Sequence, residues 1–502
     1  MGFTTTASKR LILATAIAGL FGTIATPALA DMETLLDKLH EKGVLSDDDY
    51  QEMRTEARAD RRTQALKEAK DEEKKQQPAP DSARFKMSDA IKSAELYGDL
   101  RLRYENRLAH AASDTPPTNS LERQRWRYAF RIGLRGDVGE DFFYGLRLDT
   151  GTYGRSAWVT MGDDNVGGAA AGSKGSQSNK TNDAVAVGLA FIGWKPADWV
   201  QVIAGRQANP LYTSSMVWDP DITPEGLSEK FAYKINDEAT LFATAGQFLY
   251  SQIGKRSGAW TGATLNSPSL GLGSSQSTML YATEVGGAYK FSEASSAKAA
   301  INYYKYRMTA DDTVFNTNFL GTGSAVTDMG VRNLQVVEIP AEFRFPVASL
   351  SGAVFGEYAW NIDGKKRAAA SATPTVTGDN KAMMIGLSLA SSGIPQSLSQ
   401  GATLGSSAKK GTWEVRSYYQ RVQQFALDPN MIDSDFFERT NMEGYFVAGA
   451  YSPTNGIITT LRYGNAKRLN NNMSTGGFND DSAGVATINK YQLIQADLTL
   501  RF

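Results

Sequence analysis

The chain contains no cysteine. Disulfides therefore cannot hold the fold if it is exported, and no thiolate metal site can form. Histidine is nearly absent: His40 and His110 are the two. Imidazole acid–base chemistry would fall to His110, and no nucleophile constellation surrounds it in the sequence. A surplus of either charge is missing too, with 53 Lys+Arg against 54 Asp+Glu. Nucleic-acid binding is thereby unsupported, because nothing stands ready to neutralise phosphates. Long hydrophobic runs are also lacking. Past the N-terminus no segment reaches the roughly 18 unbroken apolar residues of a spanning helix; the best run is Ala184 to Trp194. "GLGSSQ" (Gly271 to Gln276) has no strand–helix context and is no nucleotide loop.

What is present begins with an export signal. Lys9 and Arg10 precede an apolar stretch from Leu11 to Ile24, and Ala28-Leu29-Ala30 reads as a cleavage site. Residues 1–30 are thus expected to be a signal peptide; the stretch is short for a retained anchor. Residues 31–75 read as helix, with Met32, Leu35, Leu36 and Leu39 at helical spacing, a stop at Gly43 and a capping-box-like restart at Ser46 and Asp49. Beyond Met53 the residues are almost all charged, with a thin stripe at Ala57, Ala65, Leu66 and Ala69. Two readings stand: a solvated stalk, or a weak coiled coil that oligomerises the chain. Residues 76–94, opening with "QQPAPDSA", are a linker.

From residue 95 to 502 the pattern changes to alternation between Gly/Asn/Asp-rich stretches. Sixteen strands are expected, at 95–108, 122–138, 142–152, 183–195, 198–208, 229–236, 239–252, 279–292, 295–308, 332–346, 350–362, 381–391, 411–427, 441–453, 456–469 and 489–502. Their links alternate between long and short. "GED", "PA", "DE", "EA", "VAS" and "TN" are the short ones, and Ser392 to Lys410 is the exception. A soluble sandwich has no reason to alternate this way, whereas a membrane barrel has short periplasmic turns and long outer loops. The expected fold is an all-β transmembrane barrel of about sixteen antiparallel strands, a closed up-and-down meander. An even strand count puts both ends of the barrel on the periplasmic side.

The stretch "RQRWRYAFRIGLRGDV" (Arg123 to Val138) fixes the faces. Arg123, Arg125, Arg127, Arg131 and Arg135 occupy alternate positions, and Trp126, Tyr128, Phe130, Ile132 and Leu134 fill those between. A strand sends alternate side chains to opposite faces. An arginine on the lipid face costs roughly 2–4 kcal/mol at the bilayer midplane, so the guanidinium groups must line water and the rings must meet lipid. Sixteen strands also enclose more space than side chains can fill, so a polar lumen is expected. Ile494, Ala496, Leu498, Leu500 and Phe502 alternate up to a terminal aromatic, an end signal of the kind read by the outer-membrane barrel assembly machinery.

Residues 85–502 resemble the putative bacterial outer-membrane porin family. The resemblance is carried by "GRQANPLYTSSMVWDPDITPEGL" (Gly205 to Leu227), "FGEYAWN" (Phe355 to Asn361) and "GTWEVRSYYQ…DSDFFERTNMEGYFVAGAY" (Gly411 to Tyr451). "LLDKLHEKGVLSDDDYQEM" resembles the short periplasmic segment that precedes such barrels. The resemblance implies a water-filled diffusion channel and names no solute.

Selectivity is expected at the third long link, 209–228. Its Leu211, Tyr212, Met216, Val217 and Trp218 have little use for external water. By analogy with general porins this loop folds inward, with Tyr212, Met216 and Trp218 packed on the wall. Asp219, Asp221 and Glu225 would then face a wall of Arg101, Arg103, Arg123, Arg125, Arg127, Arg131, Arg135 and Arg147, giving a transverse field. In the competing reading the arginines pair with inward Asp99, Glu105 and Asp149 and mainly order the wall. Asp219-Pro-Asp221 and Asp433-Ser-Asp435 resemble fragments of a calcium loop, although solvated acidic turns are the plainer reading. The expected partners are outer-membrane lipids, small hydrophilic solutes and ions and the assembly machinery, with peptidoglycan added in the reading where the N-terminal helix reaches the cell wall; monomer and homotrimer both stand, because an apolar barrel face serves lipid and a neighbouring subunit equally well. No cofactor is expected. An anchor tying the membrane to the cell wall is the alternative function; an enzyme would need His110, and an energy-coupled transporter would need about 22 strands.

Overall fold

Alternation becomes architecture in a computed structural model of the chain. It describes residues 90–111, 120–151, 156–162, 184–254, 275–308, 333–369, 378–391, 409–437, 439–473 and 487–502, with isolated positions elsewhere. The signal peptide, most of the helical segment and most of the linker lie outside the described residues. Lys38, Glu41, Gln51 and Thr55 are described, and they are helical.

Among the described residues seventeen strands form one sheet. They are β1 (Glu95–Ala111), β2 (Ser120–Val138), β3 (Phe142–Thr150), β4 (Val159–Thr160), β5 (Val185–Ala197), β6 (Val200–Arg206), β7 (Glu225–Lys234), β8 (Ala239–Gly254), β9 (Ser275–Ser292), β10 (Ser295–Met308), β11 (Gln335–Val347), β12 (Leu350–Asn361), β13 (Lys381–Ala390), β14 (Trp413–Val422), β15 (Met442–Thr454), β16 (Ile457–Arg468) and β17 (Ile488–Arg501). β4 is a two-residue strand paired with β2. The other sixteen pair antiparallel in chain order and close between β1 and β17, as the alternation requires. A short helix, α1 (Gly364–Ala369), follows β12.

The seam joins Leu100 to Leu500 and Leu102 to Leu498. The amides of Gly98 and Phe502 exchange hydrogen bonds with each other's carbonyls at 2.9 and 3.1 Å. Gly98 is required there: a Cβ would sit 2.4 Å from the Arg131 carbonyl and 2.6 Å from the Phe502 ring. Leu498, Leu500 and Phe502 point outward.

The two faces separate as charge and hydrocarbon demand. Trp126 is 60% exposed, whereas Arg125 and Arg127 are each 7% exposed. Outward rings gather in contact pairs, such as Phe142 with Trp194 and Trp199 with Phe231. The interior differs from the expected polar lumen. Inward positions on β8 to β16 include Phe248, Tyr304, Phe355, Met384, Tyr418 and Phe446, which form one apolar cluster with loop residues. Inward-folded chain covers these side chains, so part of the barrel is packed and dry.

Candidate functional site

Two loops supply most of that packing. The first connects β6 to β7. Pairing of Arg206 with Glu225 and Gly205 with Gly226 extends the ladder, so the loop spans 207–224. Its Leu211, Tyr212, Met216, Val217 and Trp218 are all buried. Trp218 stands between Phe248 and Tyr304 (ring centroids 6.2 and 6.4 Å) and donates its Nε1–H to the Ile222 carbonyl at 3.0 Å. Inward polar groups anchor the loop backbone. The Tyr212 amide donates to Glu284 (2.5 Å), Thr213 Oγ1 donates to Glu338 (2.7 Å), and Asn302 Nδ2 donates to the Tyr212 carbonyl (2.8 Å). The Tyr212 phenol is held well above its usual range, first by burial and then by the Glu342 charge.

For the second loop, 423–441, the sequence offers only the calcium-loop resemblance of Asp433 and Asp435 and no inward packing. A strand was expected to run to residue 427, but β14 ends at Val422 and the chain turns inward through buried Phe425, Ala426 and Leu427. Met431, Ile432, Phe436 and Phe437 follow, also buried. Their interleaving with Asp428, Asp433 and Asp435 repeats the composition of 207–224, and this was the available signal. Tyr250 of β8 donates to Asp428 at 2.7 Å. The loops touch through their backbones: the Asp219 amide donates to the Met431 carbonyl (2.6 Å) and the Asp433 amide to the Ser215 carbonyl (3.1 Å).

Against these loops stand arginines of β1 and β2. Glu105, fully buried, is their hub. Arg107 contacts both carboxylate oxygens at 2.9 and 3.0 Å, Arg125 binds at 2.5 Å, and Arg127 and Arg103 lie at 3.8 and 3.9 Å. Gln495 adds a donor at 2.8 Å. Arg103 also holds Asp497 (2.8 Å) and Asp435 of the second loop (2.6 Å), and its guanidinium lies 4.1 Å from the Trp158 ring centroid. Arg462 pairs with Asp497. Lower on the wall Arg101 pairs with Asp99 and Arg147 with Asp149, each at 2.6 Å. Arg131 reaches Asp221 of the first loop at 2.8 Å. The neighbouring acids Asp99, Glu105 and Asp149 thus engage Arg101, Arg125 and Arg147, whereas Arg103 contacts both a strand acid and a loop acid, and Arg131 a loop acid.

Other expected residues fall elsewhere. Glu225 is not a loop acid: it opens β7 on its outward face and pairs with Arg206 at 2.5 Å. The apolar alternation of Leu227 and Phe231 continues through it and carries its side chain away from the wall. Arg135 lies near the short-turn end, exposed and paired with Glu95 at 2.7 Å. Arg123 is half-buried near the long-loop end, beyond Glu105. Asp219 is buried, where its side chain accepts from the Asp221 amide at 2.9 Å. Asp433 likewise accepts from the Asp435 amide at 2.9 Å. Both acidic stretches thus close as turns, and Asp435 is engaged by Arg103. Among the described residues no group of three or more metal-binding side chains converges. His110 belongs to β1, with Nδ1 3.5 Å from Ser120 Oγ.

The loop acids sit in opposite electrostatic surroundings. Burial would raise the Asp435 carboxyl, but Arg103 and Arg462 outweigh it and hold the group well below the carboxylate range. Asp433 has no such cation. Burial, then the charges of Asp219 and Asp435, push it well above that range.

Solved structures similar to this chain include OprB of Pseudomonas putida (10% identity, 82% of this chain and 94% of that chain, TM-score 0.44). The outer membrane channel DcaP of Acinetobacter baumannii is another (11% identity, 83% and 99%, TM-score 0.39). A third is OmpF of Salmonella typhi in complex with daunomycin (12% identity, 83% and 99%, TM-score 0.40). No curated protein matches the chain. Over residues 107–329 the chain matches the family described as putative porin, the family its sequence resembles.

Proposed function

We propose that the chain is an integral outer-membrane porin whose water-filled waist lies between the inward loops 207–224 and 423–441 and the arginine wall of β1 to β3. It passes small hydrophilic solutes and ions by diffusion. The family match and the closed barrel support the channel. The observation that carries the waist is the contact of Asp221 with Arg131, which brings a loop acid onto the arginine wall. Fixed charges of opposite sign on the two sides of a narrow passage orient dipolar solutes and set ion preference. The chain's N-terminal helix lies on the periplasmic side in this reading.

Reversal potentials across planar bilayers in a salt gradient test it. Arg127→Glu and Arg131→Glu should shift selectivity toward cations. An unchanged reversal potential would remove the arginine wall from the conduction path, and liposomes that fail to swell in small sugars would remove the channel.

A further inference from the structure

The inward arginines Arg101, Arg131 and Arg147 each hold a carboxylate. Two inward lysines further round the barrel do not. Lys230 of β7 shares its face with fully buried Ser228, and Lys298 of β10 shares its face with fully buried Asn302. A strand sends alternate residues to one face, so both ammonium groups point inward. Both side chains are half-buried. Among the described residues neither has a carboxylate within ion-pairing distance.

The acids near them lie deeper and are engaged elsewhere. Glu284 of β9 accepts from the Tyr212 amide and from Thr244 Oγ1 at 2.5 and 2.8 Å. Glu342 of β11 pairs with Arg344 at 2.6 Å, and Glu338 accepts from Thr213, Asn302 and Tyr304. These three acids and Glu357 are all buried. Carboxylates thus sit beneath the inner surface and ammonium groups stand at it. Coulomb energy falls with distance, so an anion in the lumen answers first to the lysines. Lys230 and Lys298 also repel each other, and the charge of Glu284 acts on both. One anion lying between the two would relieve that repulsion and form charge-assisted hydrogen bonds to each.

A ring completes the site. Lys298 Nζ lies 4.0 Å from the Tyr212 ring centroid and 4.9 Å from that of Phe242. Tyr212 is buried, but Phe242 is half-buried and lies over Gly286 on the inner face, where a Cβ would meet its ring at 2.3 Å. Its open part sets an apolar surface beside the ammonium pair. Lysine takes a carboxylate as a point charge, and the ring takes the carbon body attached to it. Inorganic anions would use the lysines alone.

We propose that Lys230, Lys298 and Phe242 form a binding site for the carboxylate of a small organic acid on the inner wall of β7 to β10, beside loop 207–224. The site gives the channel a solute class and rests on the channel reading; the arginines of β1 to β3 play no part in it.

Benzoate is the probe. Calorimetric titration of benzoate into the full-length protein, folded in detergent, reads the site without conduction. Binding should saturate, and the double variant Lys230→Gln, Lys298→Gln should raise the dissociation constant about tenfold, equivalent to about 1.4 kcal/mol, with heat-modifiable mobility confirming a folded barrel. Benzyl alcohol, which lacks the charge, and inorganic phosphate, which lacks the ring, should each bind about tenfold more weakly than benzoate. In planar bilayers benzoate should block chloride current, and the double variant should need a correspondingly higher concentration. An unchanged dissociation constant in the double variant, or binding of benzyl alcohol or phosphate equal to that of benzoate, would overturn the proposal. Saturable benzoate binding without any chloride current would uphold the site and count against the channel alone.

Discussion

Trp218→Ala is the sharpest perturbation of the proposed waist. Trp218 is 4% exposed and sits between Phe248 and Tyr304. Emptying such a site costs about 3–5 kcal/mol, including the lost ring contacts. At about 1.4 kcal/mol per factor of ten, the equilibrium between docked and undocked loop moves by roughly two to three and a half orders of magnitude. The cost falls on the loop, because the strand ladder on both sides of it stays intact and local openings need not unfold the barrel. Single-channel recording should then show a larger, noisier conductance, with faster proteolysis within 207–224. Trp218→Phe keeps one ring in the site but loses the hydrogen bond to the Ile222 carbonyl, worth about 1 kcal/mol, and part of the indole's packing. It should fall between wild type and Trp218→Ala. If Trp218→Ala left both conductance and proteolysis unchanged, loop packing would not set the waist.

Other outcomes follow from the charge network. Glu105→Gln leaves buried guanidinium groups around a neutral amide and should destabilise the folded protein by about 3–5 kcal/mol in denaturant titrations in detergent; a loss below 1 kcal/mol would show that solvent already screens the hub. Asp433 has a folded value above its unfolded one. Its burial therefore costs nothing below about pH 4 and destabilises increasingly as pH rises toward the folded value. Asp433→Asn should match wild type in thermal melts at low pH and gain relative stability toward pH 8; a pH-independent difference would contradict the assignment. Asp435 has the reverse sign. Its contribution is full above about pH 4 and fades as pH falls below that toward the lowered folded value, so the deficit of Asp435→Asn should shrink in acid.

Strand alternation was legible because it is local. Arg125 and Trp126 are adjacent, and the pleat alone sends them to opposite faces. The long and short links gave the meander, and the Leu498, Leu500 and Phe502 pattern gave the last strand. Burial of Tyr212, Met216 and Trp218 was legible because apolar surface in a long loop needs cover. The loop 423–441 carries the same mixture, but it adjoins a strand whose apolar run, Phe425 to Leu427, reads as more strand. Glu225 failed for a related reason. An acid beside a loop of acids reads as loop, and only ladder pairing with Arg206 shows that the strand has begun. The partners of Arg103 were beyond reach, since Asp435 and Asp497 lie more than 300 residues away.

Composition and periodicity by themselves determined a cysteine-free barrel with guanidinium groups inside and rings outside, because each residue's face follows from its parity and each face's solvent from the cost of placing charge in hydrocarbon. Tertiary structure alone decided how the interior is filled. Which loop enters, which acid meets which arginine and how much of the lumen is dry depend on contacts between strands far apart in the chain, and no local pattern records those distances.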